Sequence, residues 1–380
     1  IKLVDQIIMA AVNAKATDIH FEIYRNKVKI RCRADGILYD LALPADINVL
    51  YPAIVSRIKI ISGLDVVEKR LPQDGRSKIK FHDVTLDLRI SVIPTPYGEN
   101  IVIRLLPGKL IYDIGKLGFS PKDLEKLKVL IHLPHGVIFL VGPTGSGKTT
   151  TLYACLSEIK SPDTKIVNIE DPIEYELEDV MQIQVSSKIG LNFANCLRSV
   201  LRHDPDIMMV GEVRDVETAE LAIRSALTGH LVFSTLHTND APSGVARLVD
   251  MGIEPFLLVS SVKAFVAQRL IRVICDKCKT EHKAGDVFIK QKMPLDKYYR
   301  GKGCEECRYT GYKGRTAIYE LFIINEEIRD MIMDRASSQD LMRKAKKQGM
   351  RTLRETGWEK IKEGITTPEE VFRVTEMQDI

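Results

Sequence analysis

Residues 142–149 read Gly-Pro-Thr-Gly-Ser-Gly-Lys-Thr, and they constrain the fold more than any other stretch of the chain. The run fits G-x-x-x-x-G-K-[ST]. In such a loop the glycines let backbone N–H groups turn inward around phosphate oxygens, and the helix that follows aims its positive dipole end at them. This chemistry needs a strand before the loop and a helix after it. The apolar run Val137–Val141 leads in and the helical segment Thr150–Ile159 leads out. Gly142, Pro143, Thr144, Gly145, Ser146, Gly147, Lys148, Thr149 and Thr150 are therefore the expected nucleotide cradle. Lys148 is placed to reach the β- and γ-phosphates and the Thr149 hydroxyl to ligate Mg²⁺, which predicts ATP and Mg²⁺ as cofactors.

Further short apolar runs, Ile166–Ile169, Ile207–Val210 and Leu231–Ser234, alternate with helical segments. Strands that read as continuous apolar runs separated by helices predict an α/β core, a parallel sheet covered on both faces. Two of the strands end in acid, at Glu170-Asp171 and at Gly211-Glu212. Carboxylates at the carboxyl ends of parallel strands face the ligand crevice, and nucleoside triphosphate hydrolysis uses one near Mg²⁺ and another to orient or deprotonate water. His230 and His237 bracket the strand 231–234. A lone histidine is usually structural, but two around one strand of such a sheet are candidates for sensing the γ-phosphate.

Residues 1–106 follow a different period. Val4, Ile7, Ile8 and Ala11 share a helical face; Ile19, Phe21 and Ile23 alternate, as do Val28, Ile30 and Cys32, with Tyr24–Lys27 as the turn of a hairpin. A helix over Ile54–Ile61, a strand over Thr85–Ile93, a turn at Pro94–Gly98 and a strand over Ile101–Leu105 complete a mixed α+β domain. Residues 107–120 read as a glycine-bearing linker, closed by Ser120-Pro121 as a helix start. The ATPase core is expected over 121–271, a four-cysteine module over 272–317 and a helical region over 318–380.

Cys275, Cys278, Cys304 and Cys307 form two Cys-x-x-Cys pairs that predict one Zn²⁺ held by four thiolates with no open position, hence a structural site. The long loop between the pairs adds little, because loop-closure entropy grows slowly with length. Cys32, Cys155 and Cys196 read as small apolar residues. Seven cysteines, four of them so paired, suit a reducing cytoplasm better than disulfides. Lys+Arg 55 against Asp+Glu 51 gives a net charge of +4, too even to imply nucleic acid or a membrane surface as partner. No signal peptide is read at the start, and no apolar stretch approaches the ~20 residues of a spanning helix.

The phosphate loop, Ile169-Glu170-Asp171-Pro172-Ile173-Glu174, Asp204-Pro205-Asp206 with Gly211-Glu212-Val213-Arg214-Asp215, and Thr228–Asn239 resemble the Walker A, Asp box, Walker B and His box of secretion ATPases of the GspE/PilB family. These are the motors of type II secretion and type IV pilus assembly. Asp18-Ile19-His20, Arg33-Ala34-Asp35-Gly36 and Leu71-Pro72-Gln73-Asp74-Gly75-Arg76 resemble that family's second N-terminal domain, which is PAS-like. The resemblance implies a RecA-like P-loop core. It implies Glu170 as the carboxylate that activates water and Glu212 as a Mg²⁺ ligand through a water. It also implies reading of the γ-phosphate by Arg76, Arg89 and Arg104, with Arg198 and Arg202 in the core, some supplied by a neighbouring subunit of a homohexamer. The cysteine module separates the GspE and PilB types from retraction ATPases of the PilT type, and Val249–Phe256 leans towards GspE.

The expected function is a cytoplasmic ATPase, peripheral at the inner membrane through secretion or pilus platform proteins, that powers pseudopilus assembly; pilus extension of the PilB type is the alternative. The family's variable first N-terminal domain, which docks on membrane partners, is expected to be missing ahead of Ile1. From another class, a nucleic-acid translocase also combines zinc with a RecA-like core. Such a motor needs a basic stripe interleaved with aromatics. The densest basic cluster, Arg343-Lys344-Ala345-Lys346-Lys347, reads instead as a solvated helix face, so no nucleic acid is expected. A small-molecule kinase would need an acceptor site, and none is evident.

Overall fold

The computed structural model describes residues 2–41, 44, 46–81, 84–107, 113–283, 295 and 297–375. The chain divides into two compact units, Ile1–Leu110 and Ile111–Ile380. Linker residues 108–112, residues 284–294 between the cysteine pairs and the end of the expected helical region, 376–380, lie outside the described residues.

The first unit runs α1 (Lys2–Asn13), β1 (Asp18–Tyr24), β2 (Lys27–Ala34), β3 (Ile37–Asp40), α2 (Ile47–Ile61), β4 (Gln73–Phe81), β5 (Val84–Thr95) and β6 (Gly98–Pro107). Its strands form one antiparallel sheet in the order β3-β2-β1-β6-β5-β4. The two anticipated hairpins close at Tyr24 opposite Lys27 and at Thr95 opposite Gly98. Period-2 alternation sends Ile19, Phe21, Ile30, Leu88, Ile90, Ile101 and Ile103 to one face, where they share a core with Val4 and Ile8 of α1 and Ile54 and Ile58 of α2. The other face is polar. β4 went unread because it is an edge strand whose residues, Gln73–Phe81, are mostly polar. Lys59 of α2 is fully buried, paired with Glu99 and donating to the Glu68 carbonyl at 2.7 Å, and so fixes the loop that leads into β4.

The second unit opens with α3 (Pro121–Ile131), capped by the Ser120 hydroxyl accepting from the Asp123 N–H. It continues through β7 (Gly136–Val141), α4 (Lys148–Ile159), β8 (Ile166–Glu170), β9 (Met181–Gln184), α5 (Phe193–Val200), β10 (Ile207–Val210), α6 (Val216–Leu227), β11 (Leu231–Leu236), α7 (Ser243–Asp250), α8 (Pro255–Ser261), β12 (Val262–Ile274), β13 (Lys279–Lys283), β14 (Lys297–Gly301) and β15 (Tyr312–Ile323). The helices Glu326–Met333, Ser338–Lys347, Leu353–Lys362 and Pro368–Val374 follow. The main sheet has the order β15-β12-β7-β11-β10-β8-β9 and is parallel except for β15, which runs antiparallel to β12. The four strands read from sequence appear within two residues of their expected ends, while β9, β12 and β15 are additions.

Every residue of β7 is buried, Val137, Phe139 and Val141 on one face and Ile138 and Leu140 on the other. β12 outruns β7: its Ala267 lies opposite Val141, the last residue before the phosphate loop, and Gln268–Ile274 continue past that edge towards Cys275. Among the described residues no helix is long and apolar enough to cross a membrane.

Candidate active site and metal centre

The phosphate loop leaves β7 with Gly142 donating its N–H to the Leu236 carbonyl at 3.3 Å. Gly142 (φ 151°) and Gly147 (φ 90°) hold conformations that side chains rarely adopt, and their surroundings exclude one. A Cβ on Gly142 would stand 2.7 Å from Ser146 Oγ and 2.8 Å from the Gln268 carbonyl oxygen; one on Gly147 would stand 2.7 Å from Gln268 Nε2. Gly147 hands the chain to α4, whose first N–H groups have no partner within the helix. Ser146 Oγ is buried without a hydrogen-bond partner. An orphaned hydroxyl inside a cradle that tolerates no side chains fits a nucleotide phosphate.

Lys148 Nζ donates to the carbonyls of Gly142 at 2.6 Å and Pro143 at 3.1 Å. Burial lowers its pKa to about 8, with the Arg269 cation adding to the effect and the Glu212 charge opposing it. Thr149 is half-buried and Thr150 exposed in the first turn of α4.

Glu212 follows β10, near enough to Lys148 for its charge to act on that ammonium. Arg214 Nη2 lies 2.5 Å from its Oε1 and His237 Nε2 3.5 Å from its Oε2. The segment is fixed to β11: the Thr235 hydroxyl donates to the Gly211 carbonyl at 2.7 Å, and the Val213 N–H to the Thr235 carbonyl at 3.0 Å. Burial and the Lys148 charge lower the His237 pKa, against the pull of Glu212, so the ring is neutral near pH 7. Lys148, Glu212, Arg214 and His237 thus meet at the carboxyl edge of the sheet, where a parallel α/β sheet binds its ligand.

Glu170 is placed differently. It is 3% exposed, and its carboxylate accepts from the Tyr153 hydroxyl of α4 at 2.5 Å, from Gln182 Nε2 of β9 at 3.0 Å and from Asn168 Nδ2 at 3.4 Å. Burial raises its pKa, the three donors offset part of that, and the Glu174 charge raises it further. The three donors take up three of the roughly four lone-pair sites of the carboxylate. The nearby half-buried Glu174 belongs to the same quoted motif, in which the sequence reading gave the catalytic role to Glu170 and none to Glu174.

The two histidines do not converge. His230 precedes β11 at its amino end, with Nδ1 2.8 Å from the Ser225 carbonyl, whereas His237 follows the carboxyl end. Six strand residues at ~3.3 Å each separate them by roughly 20 Å, so His230 secures the end of α6 instead of facing the phosphate loop. Arg198, exposed on α5, pairs with Glu217 at the start of α6, and Arg202 donates to the Arg198 carbonyl at 2.8 Å. In the first unit Arg76, Arg89 and Arg104 occupy directly opposed positions on β4, β5 and β6, and Asp18 on β1 continues the row. Arg104 Nε donates to Asp18 Oδ1 at 3.0 Å. Like charges directly opposite on a sheet repel, and Asp18 offsets part of that at Arg104.

The four cysteines converge. Their sulfurs all lie within 4.8 Å of one another, with Cys275–Cys304 at 3.9 Å, Cys278–Cys307 at 3.8 Å and Cys304–Cys307 at 3.7 Å. Four thiolates at the ~2.3 Å bond length of tetrahedral zinc sit about 3.8 Å apart, so the donor set fits. Burial would raise the Cys307 thiol pKa, but the N–H groups of Cys304 and Gly311 point at its sulfur and bring it to about 6. Gly301 and Gly311 pass so closely that a Cβ on the first would lie 2.1 Å from the Gly311 carbonyl oxygen.

A family model described as Type II/IV secretion system protein matches residues 1–373. Type II secretion system protein HxcR of Pseudomonas aeruginosa is 46% identical over 378 residues, covering 99% of this chain and 77% of that protein. Type IV pilus assembly ATPase PilB of Myxococcus xanthus is 46% identical over 380 residues, covering 98% and 67%. Among solved structures, the pilus retraction motor PilT with bound ADP aligns with a TM-score of 0.65 at 28% identity, covering 98% of this chain and 97% of that one.

Proposed function

The chain belongs to the Type II/IV secretion system protein family of ATPases, and we propose that it works as a homohexameric motor that drives pseudopilus assembly in type II secretion. The observation that carries its chemistry is the meeting of Lys148, Glu212, Arg214 and His237 at the mouth of the glycine cradle. Lys148 and the α4 N–H groups hold the phosphates. Thr149 and Glu212 would hold Mg²⁺, which would supply positive charge against the transferred phosphoryl group. His237, neutral beside Glu212, is positioned to donate or accept one hydrogen bond as the γ-phosphate departs.

Water activation, which the resemblance gives to Glu170, is assigned here to Glu174, because the oxygens of Glu170 are already engaged by three donors. Glu170 then holds α4, β8 and β9 together. Glu174→Gln should bind ATP and lose about 10²–10⁴ in turnover, the share a general base supplies. Glu170→Gln should lose less turnover but melt at lower temperature. The reverse ranking overturns the assignment.

The row Arg76, Arg89 and Arg104 supports completion of the site by a neighbouring subunit, since planar guanidinium groups neutralise transition-state charge well. Zn²⁺ at Cys275, Cys278, Cys304 and Cys307 is structural, because four thiolates leave no open position. Localisation is at the cytoplasmic side of the inner membrane through platform proteins. The equal 46% identity to a pilus assembly ATPase supports pilus extension as a second reading. Mg²⁺-dependent ATP turnover unchanged by single-stranded DNA is the expected result, and strong stimulation by DNA would favour a translocase.

A further inference from the structure

We propose that Gln268 and Arg269, neighbours on β12, are positioning residues that brace both ends of the phosphate loop and the loop after His237 for hydrolysis. β12 stays in register with β7 until Ala267 meets Val141, so its next two residues run behind the phosphate loop. Successive side chains on a strand point to opposite faces, and these two grip different parts of the site.

Gln268, 2% exposed, accepts from the Thr151 hydroxyl of α4 at 2.9 Å, and its Nε2 fills the space where a Cβ on Gly147 would be. That secures the end of the loop. Arg269, 9% exposed, donates from Nη1 to the Gln268 carbonyl at 3.0 Å, with the same nitrogen 3.1 Å from where a Cβ on Gly142 would be. That backs the start of the loop, the residue whose carbonyl holds Lys148. Arg269 Nη2 donates to the Asn239 carbonyl at 2.8 Å, two residues after His237. A second buried group holds the same segment: Glu320 of β15 accepts from the Ala241 N–H at 2.7 Å and the Leu353 N–H at 3.3 Å.

Arg269 Nη1 and Nη2 each reach a main-chain carbonyl, with a longer contact of 3.4 Å from Nη2 to Asn239 Oδ1, and the two carbonyl bonds fix backbone position. The rigid planar fork is what permits two such bonds at once. A displaced Asn239 would carry His237 away from Glu212, and small misplacements of reacting groups slow a reaction sharply.

The proposal rests on the ATPase reading for its kinetic arm only. In the full chain, Arg269→Met should raise amide hydrogen exchange in residues 142–148 and 237–241, lower kcat about tenfold, and change ADP affinity by less than about threefold. Arg269→Lys should recover part of kcat, because an ammonium reaches one carbonyl and not both. Unchanged exchange in both segments, or a loss of kcat matched by an equal loss of ADP affinity, overturns the brace. If Arg269→Met does not fold, Arg269→Lys decides: faster exchange in 237–241 at unchanged ADP affinity supports it, and wild-type exchange refutes it. Failure of the ATPase reading would show separately, as absence of turnover in the unaltered chain.

Discussion

In the six-stranded sheet of the first unit one face is buried with α1 and α2 and the other carries charge, whereas the seven-stranded sheet of the second unit has apolar layers on both faces and carries its reactive groups at strand ends. The difference follows from strand direction. An antiparallel sheet built from hairpins tolerates one solvated face, while parallel strands joined through helices are covered on both. The arginine row of the first unit is therefore set by register: Arg76, Arg89 and Arg104 are separated in sequence and become one row only because β4, β5 and β6 pair as they do. In the second unit chemistry is addressed by where strands stop, as at Val141, Val210 and Leu236.

The sharpest test of that division removes a group at a strand end. Lys148→Ala should abolish turnover, by about 10³-fold or more, since the charge on the transferred phosphoryl group then lacks its principal side-chain cation. The first unit should melt as before. Next in size is the arginine row. Arg89→Ala should lower turnover about a hundredfold, below the full value of an arginine finger because its neighbours remain. If the row acts on another subunit, specific activity should rise with protein concentration. Mixing Arg89→Ala with Lys148→Ala subunits should then restore part of the activity. Activity independent of concentration, with no recovery on mixing, would confine each sheet to its own chain.

What the sequence shows of this follows the same physics. The phosphate loop is legible because its glycines answer to backbone geometry, and β7, β8, β10 and β11 because burial on both faces makes continuous apolar runs. The hairpins of the first unit are legible through alternation. β12 is not: Val262–Ile274 mixes Lys263, Gln268, Arg269 and Arg272 into an apolar run and fits neither template, because its second half leaves the sheet interior and takes polar work at the site. The same reason hides Gln268 and Arg269, which belong to no spacing motif. Glu170 is visible as an acid at a strand end but not as a buried one, since its three partners come from α4, β8 and β9.

A smaller effect is expected where the second unit extends beyond its sheet. Freshly purified chain should hold about one Zn²⁺. Cys307→Ser should release it and lower the melting temperature of the region around β13 and β14, because binding energy at such sites is folding energy. Turnover should fall by less than about tenfold, as no cysteine lies in the phosphate cradle. A metal-free wild-type chain would end this reading.

The smallest expected effect concerns how β12 is anchored just before the cysteines. Glu370, 1% exposed, accepts from the Arg272 N–H at 3.1 Å and from Arg272 Nη2 at 2.5 Å, while Arg373 Nε and Nη2 donate at 2.9 Å each. Burial alone would raise its pKa; the hydrogen bonds from Arg373 and Arg272 outweigh it and hold the carboxyl at about 2, against an ordinary value of 4.5. A carboxylate with a depressed folded pKa stabilises the fold above its unfolded pKa and loses that contribution as pH falls through the folded one. The window is therefore pH 4.5 down to about 2, and the upper bound is roughly 3 kcal/mol at 1.36 kcal/mol per unit. Glu320 has the opposite sign: burial, with the Asp240 charge, raises it to about 7 despite the N–H groups of Ala241 and Leu353, so it weakens the fold as pH rises from 4.5 through 7 and contributes nothing to the acid limb. Glu370→Gln should thus melt several degrees below wild type at pH 7, and the gap should narrow below pH 4.5 and close as pH is lowered towards 2. A gap that stays constant over that range would mean that the Arg272–Glu370–Arg373 cluster holds β12 by packing and not by charge.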